Sequence, residues 1–199
     1  MGVATAPGGS FLMSATGGIA ETASIIDETL REREIEYTRP ADDVFVVVLP
    51  GERKLKTTVM LNVGKHGVRV EAFVCRKPDE NFEGVYKFLL RRNRRLYAVA
   101  YTLDRVGDIY LVGRLASHAI TPDELDRVFG QVLEAVDADF NTLLELGFAE
   151  SIRREWKWRV SRGESLKNLR AFEHLVNTGE DGSGAASEAS PDRVSGTGT

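Results

Sequence analysis

The residues able to do covalent or metal chemistry in this chain are few and far apart. Cys75 is the single cysteine, and the three histidines, His66, His118 and His174, are scattered along the sequence. A thiolate nucleophile needs a base beside it, and a metal ion needs several His, Cys or acidic ligands in register. The sequence offers neither pattern, so no catalytic residue, cofactor or metal is expected, and the chain is not expected to be an enzyme. Glycine-rich phosphate cradles are absent too. Gly64-Lys65-His66-Gly67 has the glycine spacing of a nucleic-acid clamp, but it joins two strand-like segments, where turn chemistry explains both glycines.

What remains is charge. Arg91, Arg92, Arg94 and Arg95 follow Lys87 at the end of a helical stretch. Such cations complement the negative end of a helix, or they bind an anionic ligand or nucleic acid. A second feature is a contrast between neighbours. Residues 121–150 hold eight acids and one base, whereas residues 151–170 hold seven bases and two acids. Trp156 and Trp158 sit in the basic part, two positions apart, so on a helix they face different sides. Tryptophan and arginine are enriched at binding hot spots. Arg153, Arg154, Trp156, Trp158 and Arg159 are therefore a candidate interaction surface for another protein or a second copy of this chain. The competing reading is a solvated helix pair of complementary charge.

The elements that must position these residues are legible in the hydrophobic pattern. The chain has 199 residues, 42% of them hydrophobic and 28% charged, which suits one globular domain. A net charge of −4 argues against a general nucleic-acid binder. No apolar run approaches the ~20 residues that cross a bilayer, and residues 1–18 lack the charged start of a secretory signal. With one thiol and no disulfide, a reducing, cytoplasmic setting away from membranes is expected. Residues 1–18 and 177–199 lack the apolar content to fold and are expected to be disordered, the second as a Gly/Ser/acidic tail. The folded core is expected over 19–176.

Within that core, Ile19, Ala23, Ile26 and Leu30 predict a helix over 19–34. Pro40 and Asp42-Asp43 break the chain. The unbroken run Val44–Leu49 predicts a strand covered on both faces. Alternation over 55–63 and again over 68–74 predicts a hairpin with one buried face. A helix starting near Asn81 carries Phe82, Val85, Tyr86, Leu89 and Leu90, and strands over 96–103 and 108–115 are joined at Arg105-Val106-Gly107. Thr121-Pro122-Asp123-Glu124 is a helix start with a capping hydroxyl, and Gly147 ends or kinks the helix it opens. A basic helix follows over 149–160. The expected fold is α+β, two-layered: a mostly antiparallel five-stranded sheet with helices packed on one face, in the order α-β-β-β-α-β-β-α-α.

Three stretches carry a family resemblance: LPGERKLKTTVMLNVGKHGVRVEAFVCRKPDENFEGVYKFLLRRNRRLYAVAYTLDRVGDIYLVG, TPDELDRVFGQVLEAVDADFNTLLELGF and FAESIRREWKWRVSRGESLKNLRAFEHL. Over roughly 20–176 the chain resembles the YbjN family in its actinobacterial form. That resemblance implies a fold similar to type III secretion chaperones, with a helix, three strands, a helix, two strands and a helix. It carries over no catalytic residue. It implies a broad link to bacterial stress, motility and signalling. It implies no settled molecular activity; the implied fold together with the Trp/Arg-bearing C-terminal helix leads to the expectation of a non-catalytic protein-binding module, chaperone-like or adaptor-like.

Overall fold

The computed structural model describes residues 10–177, with side chains from Gly18 onward. Of the two segments expected to be disordered, 1–9 and 178–199 lie outside the described residues. The chain separates into two compact units, the first ending at Phe148 and the second beginning at Ala149. This division falls inside the span expected as one folded core, next to Gly147 and close to the change from acidic to basic composition at residue 150.

The first unit opens with α1 (Ser10–Glu32), which starts nine residues before the expected Ile19. Ala23, Ile26 and Leu30 are buried along its predicted stripe. Six strands follow in two groups: β1 (Tyr37–Ala41), β2 (Val44–Pro50), β3 (Lys56–Gly64) and β4 (Gly67–Cys75), then, after α2 (Phe82–Asn93), β5 (Val99–Leu103) and β6 (Ile109–Leu115). Their order across the sheet is β1-β2-β3-β4-β6-β5, and each neighbouring pair is antiparallel.

The α+β class holds, but the sheet has six strands and not five. The sequence predicts a break at Pro40 where the structure has β1. Proline lacks a ladder donor, yet an edge strand leaves half its backbone groups unpaired. β1 is that edge, irregular between Thr38 and Ala41, and Asp42-Asp43 is its hairpin turn.

One face of the sheet forms the core. Phe45, Val47 and Leu49 of β2, Val59, Leu61 and Val63 of β3, Val68, Val70 and Ala72 of β4, and Ile109 and Leu111 of β6 are all buried. A second correction concerns β2. Val44, Val46 and Val48 alternate with the buried residues and are only half-buried, so the run is not covered on both faces.

A 3-10 turn at Ser117–Ala119 leads to α3 (Pro122–Arg162), where the Thr121 hydroxyl accepts the Glu124 N–H at 3.2 Å as the capping pattern requires. Helical geometry fails at Phe148 (φ −144°, ψ 19°), one residue past the glycine expected to interrupt it. The Gly147 carbonyl instead accepts the N–H groups of Asp79 (2.9 Å) and Glu80 (3.2 Å). A Cβ at Gly147 would stand 3.0 Å from the Pro78 side chain, a tight contact that glycine avoids.

The second unit holds the arm of α3 from 149 to 162, a 3-10 segment at Lys167–Phe172 and α4 (Glu173–Asn177). Gly163, at φ +67°, turns the chain after the arm.

Candidate interaction surfaces

The C-terminal basic residues predicted as one surface divide into two kinds. Arg153 donates to the Leu175 carbonyl at 2.8 Å and pairs with Glu150. Arg159 donates to Glu155 at 2.7 Å and to the Ser165 carbonyl at 2.9 Å. These two guanidinium groups hold the returning segment against the arm, so they serve the fold of this unit. Arg154, which donates to the Ser151 hydroxyl at 2.8 Å, is exposed. Trp156 is half-buried, while Trp158 is 44% exposed, with the Arg162 guanidinium 5.2 Å from its ring centre. The two tryptophans thus have different environments, as their spacing requires.

The arginine cluster at the end of α2 also divides. Arg92 Nε donates to Asp139 Oδ2 at 2.7 Å, and the Tyr101 hydroxyl donates to the same oxygen at 2.8 Å. Asp139 is buried, so Arg92 neutralises a carboxylate that lies in the core. Burial, with the Asp139 charge behind it, raises the Tyr101 pKa and keeps the phenol a donor. Arg91, Arg94 and Arg95 are exposed and, with Arg92 and Phe88, line a hollow of about 570 Å³. Those three have no carboxylate partner among the described residues.

The sheet's outer face was missed from sequence. Its rows follow from the register. Val46 lies opposite Met60, Met60 opposite Glu71, Glu71 opposite Val112, and Val112 opposite Ala100. Beside this row, Val48 faces Thr58, and Phe73 faces Tyr110 with their rings edge-on at 5.4 Å. None of these residues is buried, and Phe73 is 39% exposed. Towards the β3–β4 turn the face becomes cationic: Asn62 lies opposite Arg69, and Arg69 opposite Arg114. The signal was present in β2, whose apolar run is two-sided in a sheet that buries one side.

Both edges of that sheet are obstructed. Pro40 interrupts the donors of β1. On β5, the Asn93 side chain accepts the Tyr101 N–H at 2.7 Å and donates to the Tyr101 carbonyl at 3.2 Å, occupying the place of a further strand.

A family model described as "Putative bacterial sensory transduction regulator", YbjN, matches residues 22–145. The chain belongs to the YbjN family. An uncharacterised protein of Mycobacterium tuberculosis is 62% identical to it over 168 residues, which is 82% of this chain and 92% of that protein. One from Mycobacterium leprae is 60% identical over 164 residues, 80% of this chain and 89% of the relative. Among solved structures, a chain of the ExsC–ExsE complex is similar at a TM-score of 0.48 and 13% identity, covering 63% of this chain and 95% of that one. A chain of the ExoU–SpcU heterodimer, from the type III secretion system of Pseudomonas aeruginosa, is similar at 0.45 and 17% identity, covering 62% and 98%. The helix–strands–helix–two strands–helix order that the resemblance implied is the order observed, with β1 added at the edge.

The chemistry open to this YbjN chain is limited by its one thiol. Cys75 is buried at the end of β4, and burial pushes its pKa up to about 11. The charges acting on it come from Lys54, Asp108 and Arg76, none of them a histidine base. Lys54 donates to the carbonyls of Phe73 and Val74, and its burial lowers its pKa to about 8 in spite of those acceptors. Among the described residues no group of three or more His, Cys, Asp or Glu is placed to hold a metal ion. No helix among them is long and apolar enough to cross a membrane.

Proposed function

We propose that this chain is a non-catalytic protein-binding module, adaptor-like or chaperone-like. Its outer sheet face receives a segment of another protein that carries apolar side chains flanked by acidic ones. The observation that carries this reading is the unburied apolar band of Val46, Val48, Met60, Phe73, Tyr110 and Val112. Six strands spaced about 4.8 Å apart and about seven residues long present roughly 550 Å² before side-chain relief is counted, near one side of a standard interface. The acidic flank follows from charge: Lys56, Arg69 and Arg114 lie at the margins of the face, and the acid beside the arginines, Glu71, is already paired with Arg69 at 2.6 Å. The family's description as a sensory transduction regulator accords with a role exerted by binding. The lone buried thiol suits a cytoplasmic site of action.

The test is a screen of the full chain against short peptides, repeated with Met60→Glu and Val46→Lys, whose side chains lie outside the core. Expected binders combine apolar and acidic residues, and both substitutions abolish binding without changing the unfolding free energy in urea by more than about 0.5 kcal/mol. Binding that survives both substitutions and is lost on Trp158→Ala would move the site to the second unit. A dimer that both substitutions dissolve would make the occupant a second copy. Either result overturns the assignment.

A further inference from the structure

We propose that the hollow at the cationic end of the outer face binds a phosphoryl dianion. It has a volume of about 480 Å³ and is bounded by Asn62, Lys65, His66, Arg69 and Arg114 with the glycines of the β3–β4 turn. The inference deepens the reading above, since Arg69 and Arg114 also form its cationic margin, but it does not depend on what lies over the apolar band.

Arg69 and Arg114 are direct cross-strand neighbours on β4 and β6. Like charges so placed repel, and a strand pair gains nothing from them unless something of opposite sign lies between. Protein carboxylates meet only part of that need. Glu71 accepts from Arg69 Nε at 2.8 Å and from its Nη2 at 2.6 Å, whereas Arg114 has no ion pair among the described residues. No acidic side chain lines the hollow.

The turn adds to the cationic wall. Gly67 has φ +148°, and a Cβ on it would stand 2.0 Å from the Leu115 carbonyl oxygen. The missing side chain lets the turn close onto the end of β6, which brings Lys65 and His66 beside Arg114. Asn62, opposite Arg69 on β3, offers an amide donor. Two guanidinium groups on rigid strands, an ammonium and an amide donor suit a dianion with three acceptor oxygens. A single carboxylate could satisfy only one of the guanidinium groups fully. This donor set recognises the phosphoryl group whether it is free or borne by a side chain.

The experiment is calorimetric titration of the full chain with inorganic phosphate, and separately with a phosphoserine peptide and its unphosphorylated form, at constant ionic strength. Backbone amide shifts locate the site. The expected result is saturable phosphate binding that moves the amides of Gly67, Arg69 and Arg114. Arg114→Gln should weaken it about tenfold or more, and Arg94→Gln should leave it unchanged. A phosphoserine peptide that binds more tightly than phosphate identifies a modified side chain as the source; equal or weaker binding identifies the free anion. Absence of binding, equal binding by Arg114→Gln, or loss on Arg94→Gln overturns the proposal. In phosphate-free buffer Arg114→Gln should unfold no more easily than the parent. Marked destabilisation would show that Arg114 serves the fold, and would overturn it equally.

Discussion

Four arginines crowd the end of α2, and the structure separates one from the rest in a way that unfolding experiments can read. Arg92 and the Tyr101 hydroxyl both donate to Asp139 Oδ2, at 2.7 and 2.8 Å. The phenol also lies 3.1 Å from the Ala135 carbonyl, but it has one proton, and the shorter contact to the charged acceptor takes it. Arg92→Ala would leave the buried carboxylate with a single donor. Breaking a fully buried pair costs about 3–5 kcal/mol. The Arg92 side chain is 26% exposed, so water recovers part of the loss. The expected cost is about 2–3 kcal/mol, or a fall in Tm of about 5–10 °C for a unit of this size. Arg91→Ala, Arg94→Ala and Arg95→Ala should each stay within about 0.5 kcal/mol of the parent. Arg92→Leu combined with Asp139→Leu should recover much of the loss, since an apolar pair leaves no charge to desolvate. Urea unfolding followed by circular dichroism measures all of these. An Arg92→Ala variant no less stable than Arg91→Ala would refute the reasoning.

Thr57 is buried and its hydroxyl has no hydrogen-bond partner, so Thr57→Val should stabilise the fold by about 1 kcal/mol in the same assay. Gly67→Ala should cost about 3 kcal/mol, because alanine is strained at φ +148° and its methyl would meet the Leu115 carbonyl. Lys54 gives up its proton near pH 8 when folded but near 10.5 when unfolded, so the unfolded chain binds more protons in that window and stability gains as pH rises through it. Cys75 acts in the opposite sense between about 9 and 11, where the folded thiol keeps its proton. Unfolding midpoints should therefore lose their rise between about pH 8 and 9 in Lys54→Met, and a profile unchanged by that substitution would refute the assignment. Cys75 should also react with iodoacetamide at pH 8 far more slowly in the native chain than in urea, as a buried, protonated thiol must.

The core was legible because period-two alternation, a capping box and turn glycines are local signals. Val59, Leu61 and Val63 point inward as their alternation requires, and Thr121 caps α3 as its spacing to Glu124 requires. β1 is not legible because Pro40 has the pattern of a break, although edge strands tolerate proline. Arg92 could not be told from Arg91 by sequence, since its partner Asp139 is 47 residues away. Arg153 and Arg159 were grouped with Trp158 by composition, yet their bonds to Leu175 and Ser165 depend on a chain reversal at Gly163 that has no periodic signature. The pair Arg69 and Arg114 is set by β4–β6 register, which no local pattern encodes.

The obstruction of both sheet edges bears on how a partner can engage. Strand addition needs a free row of backbone donors and acceptors. On β5 the Asn93 amide already satisfies Tyr101 on both sides, and on β1 Pro40 removes a donor where the register is irregular. Under the proposed function, a partner segment is then left with the face, where recognition would come from side chains and the backbone would take no part. Recognition of that kind is set by the spacing of pockets and charges: Phe73 and Tyr110 at one end, Met60 and Val112 between, Arg69 and Arg114 at the other. It follows that substitutions on the face should change which segments bind, whereas opening an edge, as in Asn93→Ala, should promote self-association without creating the same specificity.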